Sequence, residues 1–323
     1  MRSRTQAVLW LAGLAGVVAI GVVSGTQHVL TLSIQTMTLA ALALSWNILG
    51  GYAGQISLGH AAFFGLGALI TRELWLGGSS LVLAVAAAVA VTAAVAAIVG
   101  IPMLRFRDIY FAIGTLALGV AVFITSGNLW PGITSLPADD LRDYDFTSRF
   151  FMTLGVLLVA ILVSVWLKHS KLGLGMTAVR DDEEAAEATG VNAFAHKMIA
   201  FVISASLAAL AGSAFAYFSA SYFPNFAFSV VWTFEAILVV FIGGVGTIVG
   251  PILGSIFFVV GRDALPSGID EFQVALFGVL FIVVVLLFPG GLTEGAQKLL
   301  GGAPNRSQSP ADKPTTRGGK ELV

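Results

Sequence analysis

Few side chains in this chain could do chemistry, and they fall in three places. Glu235 is a lone carboxylate in an apolar stretch, Trp232-Thr233-Phe234-Glu235-Ala236. An ionisable group within a membrane span costs about 2.5–3.5 kcal/mol on insertion scales, which makes it a functional candidate by default. The alternative is that it reaches the interface beside Trp232. His60 closes a glycine-rich run and suits a hydrogen-bonded structural residue better than a proton carrier. The third place is a polar island between apolar stretches, residues 168–196, KHSKLGLGMTAVRDDEEAAEATGVNAFAH. There is no cysteine, so disulfides, thiolate metal sites and thiol nucleophiles are excluded. No clustered His/Asp/Glu ligands or nucleophile–base pair occur, which argues against an enzyme. No P-loop of the G-x-x-x-x-G-K-[ST] kind occurs either. No catalytic residue, metal site or cofactor is expected. What remains is binding and the transmission of force.

The island carries helix signals of its own. Asp181 can cap a helix, with Glu184 three residues on as in a capping box. Asp182, Glu183 and Glu184 then occupy the first turn, where the helix dipole favours anions. Ala185, Ala186 and Ala188 are strong helix formers. Gly190 suits the left-handed position just past the end. The spacing predicts a short helix from about Asp182 to Thr189, roughly 12 Å long. Asn192 can cap the helix that follows, and Arg180 can pair with Glu184. A solvated loop that only sets topology would account for the charges. A helix-competent acidic segment reads more simply as a handle that another protein grips.

The elements that hold these residues are membrane helices. Hydrophobic residues make up 57% of the 323 and charged ones only 11%, and stretches of about 20 apolar residues recur, each matching a ~30 Å hydrocarbon core. The fold class is therefore all-α, a polytopic integral membrane protein, rather than a soluble enzyme or a β-barrel. Nothing suggests nucleic acid. Ten crossings are expected, at about 7–25, 28–49, 58–77, 79–100, 109–127, 149–167, 197–218, 231–247, 248–262 and 271–288, the eighth and ninth short enough for a re-entrant pair. Residues 7–23 after Arg2 and Arg4 resemble a signal peptide but lack a clean cleavage site, which favours a retained first span. With the N-terminus inside, only Arg72, Arg142, Arg149 and Arg262 of the 17 Lys and Arg fall outside. The positive-inside rule then places both termini and the island in the cytoplasm. The transmembrane part covers 1–300, with the cytoplasmic loop 168–196 and an outer loop 128–148. Residues 301–323, rich in Gly, Pro and Ser, are expected to be a disordered cytoplasmic tail.

Two stretches break the apolar pattern with glycine. Gly50, Gly51, Gly54 and Gly59 stand with Gln55, Ser57 and His60 between two spans. Unwound backbone at membrane depth persists only where protein or a water-filled cavity satisfies it. Gly243, Gly244, Gly246 and Gly250 form a weaker counterpart in the second half. A broken segment in each half points to a substrate path between two internal repeats. Gly246, Gly250 and Gly254, spaced by four, suit close helix packing better.

Several runs together resemble the LivM-type permease subunit of branched-chain amino acid ABC importers. They are Gly51-Tyr52-Ala53-Gly54-Gln55-Ile56-Ser57-Leu58-Gly59-His60 to Gly65, Tyr110 to Leu116, Ala178 to Asn192 with its E-A-A-x-x-x-G, Ala200 to Ala205, and Phe241 to Gly254. The resemblance implies that residues 180–190 couple to an ATPase, with Arg180, Asp181, Asp182, Glu183, Glu184, Ala185, Ala186 and Gly190 in contact with it or supporting it. It adds Tyr110 and Thr115 to a substrate pathway of Gly50, Gly51, Gly54, Gln55, Ser57, Gly59, His60, Glu235, Gly243 and Gly244. It also implies a bacterial inner-membrane complex of this chain, a second homologous permease, two cytoplasmic ATPase subunits and a periplasmic or extracytoplasmic substrate-binding protein. ATP hydrolysis would belong to the partners. Val120, where the family often has a carboxylate, and the outer run Trp130 to Pro137, which lacks a glycine pair, depart from the pattern. They keep open a urea or short-amide permease of the same family. A stand-alone secondary transporter would also use broken helices, but with more ionisable groups deep in the spans.

Overall fold

A computed structural model gives the architecture; it describes residues 26–130, 134–136, 141, 144–264 and 278. The elements in chain order are α1 (Gln27–Asn47), which continues as a π-helical turn (Ile48–Tyr52), α2 (His60–Leu76), α3 (Leu81–Met103), α4 (Asp108–Leu129) and β1 (Thr134–Ser135). There follow α5 (Phe146–His169), α6 (Lys171–Asp181), α7 (Glu183–Ala188), α8 (Ala193–Phe218), β2 (Ser221–Tyr222), α9 (Pro224–Ala227), α10 (Val231–Gly243) and α11 (Val249–Asp263). Among the described residues the one strand pairing is the antiparallel contact of β1 with β2. The all-helical expectation therefore holds apart from this short pair. Six stretches among the described residues are long and apolar enough to cross a membrane. The expected spans 7–25 and 271–288 lie outside the described residues.

Two helices form the centre. α8 packs against α1, α2, α3 and α5, and α1 packs against α5, α8, α10 and α11. Small side chains let these backbones approach. A Cβ at Gly67 would strike the backbone of Ala209, and one at Gly212 would strike the Phe64 carbonyl. Polar pairs stitch the same seam, Thr71 Oγ1 donating to Ser213 Oγ at 2.7 Å. α3 buries the stripe Ala84, Ala88, Thr92, Ala96 and Gly100, while Val82, Leu83, Ile98 and Ile101 are exposed. Large apolar groups outward and small ones inward suit a helix whose surroundings are as apolar as the protein core.

The two ends of the bundle differ in chemistry. At one end α6 and α7 fold beneath the start of α8. At the other, two arginines hold the last turn of α8. Arg72 Nη1 donates to the carbonyls of Ala216 at 3.1 Å and Ser219 at 2.9 Å, and Nη2 to Ala220 at 3.2 Å. Arg149 Nε donates to Tyr217 O at 3.1 Å and Nη1 to Asp145 O at 3.1 Å, and its guanidinium lies 3.5 Å from the Tyr144 ring centre. Both arginines are buried. Cations favour the negative end of a helix and satisfy its last carbonyls.

α10 and α11 form a hairpin of 13 and 15 residues. At 1.5 Å per residue each leg is about 20 Å long, and α9 lengthens the first into Pro224–Gly243, one of the six stretches long enough to cross. The hairpin turns at Gly244–Ile248 beside the end of α1. Its open end is tied by Arg262 Nη1 to Glu235 Oε1 at 3.3 Å and by Asp263 to His28 Nε2 at 3.1 Å.

Candidate coupling site and glycine joint

The polar island is two helices rather than one. Ser170 caps α6, its Oγ accepting from Gly173 N at 3.1 Å. α6 then buries Gly173, Gly175, Met176 and Val179. The cap of α7 is Asp182, not Asp181: Asp182 Oδ1 accepts from Ala185 N at 3.0 Å. Asp181 is the last residue of α6, so the cap is displaced by one residue and the expected capping box does not form: its N3 position is Ala185, and Asp182 N donates to Ala178 O at 3.0 Å. Gly190 takes the left-handed conformation at φ 91°, and Asn192 caps α8 by accepting from Ala195 N at 2.9 Å, both as the spacing predicts.

α7 is held to the body by little. Ala186 is its one buried residue, in a small cluster with Val179 and Ala193. Glu183 pairs with Lys197 at 2.5 Å, where the Lys197 side chain is 5% exposed. Glu184, Ala185, Glu187 and Ala188 are exposed. The acidic residues therefore divide their work. Asp182 and Glu183 fasten the helix, and Glu184 and Glu187 remain on its open face.

Arg180 does not pair with Glu184. Its Nε and Nη2 donate to Asp181 Oδ1 at 3.0 and 2.8 Å, and its Nη1 donates to Gly51 O at 2.7 Å. Glycine makes this reach available. Gly54, at φ 71°, leaves the space beside the Arg180 Cα and Cγ, and Gly246, at φ 73°, lies next to Nη1. A side chain at either position would be strained, and at Gly54 it would also be crowded.

The glycine-broken segment itself is closely pinned. Trp46 Nε1 donates to Ser57 O at 2.8 Å, Leu58 N to Thr115 Oγ1 at 3.0 Å, and Ala61 N to Thr233 Oγ1 at 2.8 Å. Ser204 Oγ donates to Ser45 O at 2.6 Å, so His60 Nε2, 2.6 Å from that hydroxyl, is the donor of their bond. His60 Nδ1 meets no hydrogen-bonding group among the described residues. Ser204 stands about three turns into α8, on the order of 16 Å from its start. The break therefore lies well inside the bundle. Side chains of α1, α2, α4, α8 and α10 replace the water that such backbone would otherwise need.

The geometry gathers some of the expected residues and separates others. Gly51, Gly54, Gln55, Ser57, Gly59, His60 and Thr115 lie together, with Gly50 against the Trp46 ring and Gly59 against the Thr115 carbonyl. Gly244 belongs to the hairpin tip, and Gly243 packs on the backbone of Gly250 in α11. Glu235 is at the far end of the hairpin with Arg262. Tyr110, in the first turn of α4, is 73% exposed and apart from the others. Asn47 escaped the sequence reading. Its Nδ2 donates to Thr247 O at 2.8 Å and its Oδ1 accepts from Gly246 N at 2.8 Å. The signal was available: a buried amide at the end of an apolar stretch, just before the glycines, is a functional candidate by position.

A family model described as branched-chain amino acid transport system / permease component matches residues 28–285. The high-affinity branched-chain amino acid transport system permease protein LivM of Escherichia coli is 30% identical, over 88% of this chain and 74% of that protein. A probable LivM of Methanocaldococcus jannaschii is 25% identical over 69% and 71%, and LivH of Salmonella typhimurium 23% over 79% and 91%. No solved structure gives a significant match. The chain belongs to the branched-chain amino acid transport permease family.

Proposed function

We propose that this chain is one permease subunit of an ATP-binding-cassette importer that carries branched-chain amino acids by alternating access. Its partners are a second homologous permease, two cytoplasmic ATPase subunits and an extracytoplasmic binding protein. Both LivM and LivH relatives align over most of the chain, which supports a partner permease of the same family. The subunit sits in a bacterial inner membrane with both termini inside and ten crossings, and the tail 301–323 follows in the cytoplasm.

One observation carries the reading. An exposed acidic helix, α7, follows at once on α6, whose Arg180 donates to the Gly51 carbonyl of the broken segment. An ATPase cleft gripping α7 would move α6, and Arg180 would carry that movement to residues 50–59. Those residues, with Thr115 and the tip at Gly243 and Gly244, shape the passage. Tyr110 and Glu235 lie along it toward the partner permease and the outer face. A passage lined mostly by apolar groups holds a zwitterion weakly, so selection rests with the binding protein.

The test is uptake by the complete importer in proteoliposomes. Labelled leucine should accumulate with ATP and urea should not. Arg180→Ala should lower leucine uptake at least tenfold while ATP hydrolysis continues. Undiminished uptake by that variant would remove the coupling role, and uptake of urea in place of leucine would assign the subunit to amide transport.

A further inference from the structure

We propose that Asn47 is a positioning residue that joins the two glycine-broken segments into one moving body. The inference rests on the coupling reading above and extends it to the α10–α11 tip. Asn47 is 1% exposed and is the last residue of α1, at the junction with the π-helical turn. Such turns mark places where a helix departs from its ladder, frequently at functional sites. Its amide meets the peptide N–H of Gly246 and the carbonyl of Thr247. Both lie between α10 and α11, where the backbone lacks a helical partner. A carboxamide is the side chain that donates and accepts at once. Gly51, whose carbonyl takes the Arg180 bond, packs on Asn47 and on the backbone of Gly246. The chain of contacts from Arg180 through Gly51 and Asn47 to the tip is therefore continuous. Displacement of Arg180 alone would move residues 50–59; with Asn47 in place it moves the hairpin tip too.

Two measurements on the complete importer test this, with leucine as the substrate. The first is leucine uptake per ATP hydrolysed. Asn47→Leu, close in size but without hydrogen bonds, should leave assembly and ATP hydrolysis in place and lower this ratio at least tenfold. Asn47→Asp keeps the acceptor for Gly246 and loses the donor to Thr247, so its ratio should fall between. A role in folding alone would not change uptake per ATP, and an unchanged ratio in assembled Asn47→Leu overturns the proposal. The second measurement needs no change at Asn47. The chain has no cysteine, so single cysteines at Ile56 and Val249, both exposed, report on the two segments by maleimide labelling read on this chain. Both labelling rates should change together on adding ATP, by threefold or more. A change at Ile56 alone overturns the joint and leaves the coupling reading standing; no change at Ile56 removes both.

Discussion

The two ends of α8 are fastened in opposite ways. Where α8 starts, α7 is attached through one buried alanine, the Glu183–Lys197 pair and the Asp182 cap. Where α8 ends, the guanidiniums of Arg72 and Arg149 take four of its terminal carbonyls, Ala216, Tyr217, Ser219 and Ala220, in buried surroundings. A joint held by few contacts opens at low cost, and one held by many buried charge-assisted bonds does not. The first end suits a part that is pulled, and the second a part that stays fixed while the bundle turns about it.

The largest effect should come from breaking the fixed end. Arg72→Leu removes the donors to the Ala216 and Ser219 carbonyls at once and leaves the Ala220 carbonyl only its bond from Leu136 N. Each unsatisfied acceptor costs about 1–3 kcal/mol, so a loss of roughly 2–6 kcal/mol is expected. Arg72→Lys keeps the charge, but one ammonium lacks the planar fork that spans the three carbonyls, so most of the loss should persist. Thermal unfolding of the purified subunit in detergent measures both. A Tm within a degree or two of the natural protein in Arg72→Leu would mean that this end is not the anchor.

A smaller and local effect is expected at the movable end. Glu183→Gln leaves the Lys197 ammonium enclosed without its carboxylate, a loss of roughly 1–3 kcal/mol once the partial exposure of Glu183 is allowed for. Lys197→Met together with Glu183→Gln removes the stranded charge and should be milder than Glu183→Gln alone. Hydrogen exchange should show the change in residues 183–190 and leave 212–218 as protected as before. Spread of the change to the far end would dissolve the contrast between the two ends.

How far the sequence could reach follows from the range of each interaction. The caps of α7 and α8 and the left-handed Gly190 depend on residues within a turn of one another, and these were legible. The choice of Asp182 over Asp181 was not, because two adjacent aspartates offer the same cap and packing of α6 decides between them. The hairpin break was legible in its glycines. Arg180 was read as a partner of Glu184 because sequence shows only side chains one turn apart. Its actual acceptor is the Gly51 carbonyl, and every residue has a carbonyl. Asn47 meets two backbone groups some 200 positions away, contacts that no local spacing encodes. Glu235 and Arg262 were both placed toward the outer end, yet their pairing needed the hairpin geometry.

The smallest effect separates the fixed end into its parts. Asp145 caps α5 beside Arg149 by accepting from the Ser148 hydroxyl at 2.7 Å and from the Thr147 and Ser148 amides at 2.9 Å. These bonds, the Ser148 side chain first, hold its carboxyl at about 2, below the ordinary carboxylate value of 3.8. A folded-state value below the unfolded one means stability that is fully present above about pH 4 and is lost as pH falls toward 2. Asp145→Ala should therefore lower the Tm modestly at neutral pH, and the gap between the two proteins should close between pH 4 and 2. Asp145→Asn keeps an acceptor without the charge, so its Tm should lie between the two at neutral pH and lack that acid limb. The Asp145 carbonyl that receives Arg149 is untouched by either change. If the gap holds constant through pH 2, the cap contributes through shape alone, and the fixed end owes its strength to the two arginines.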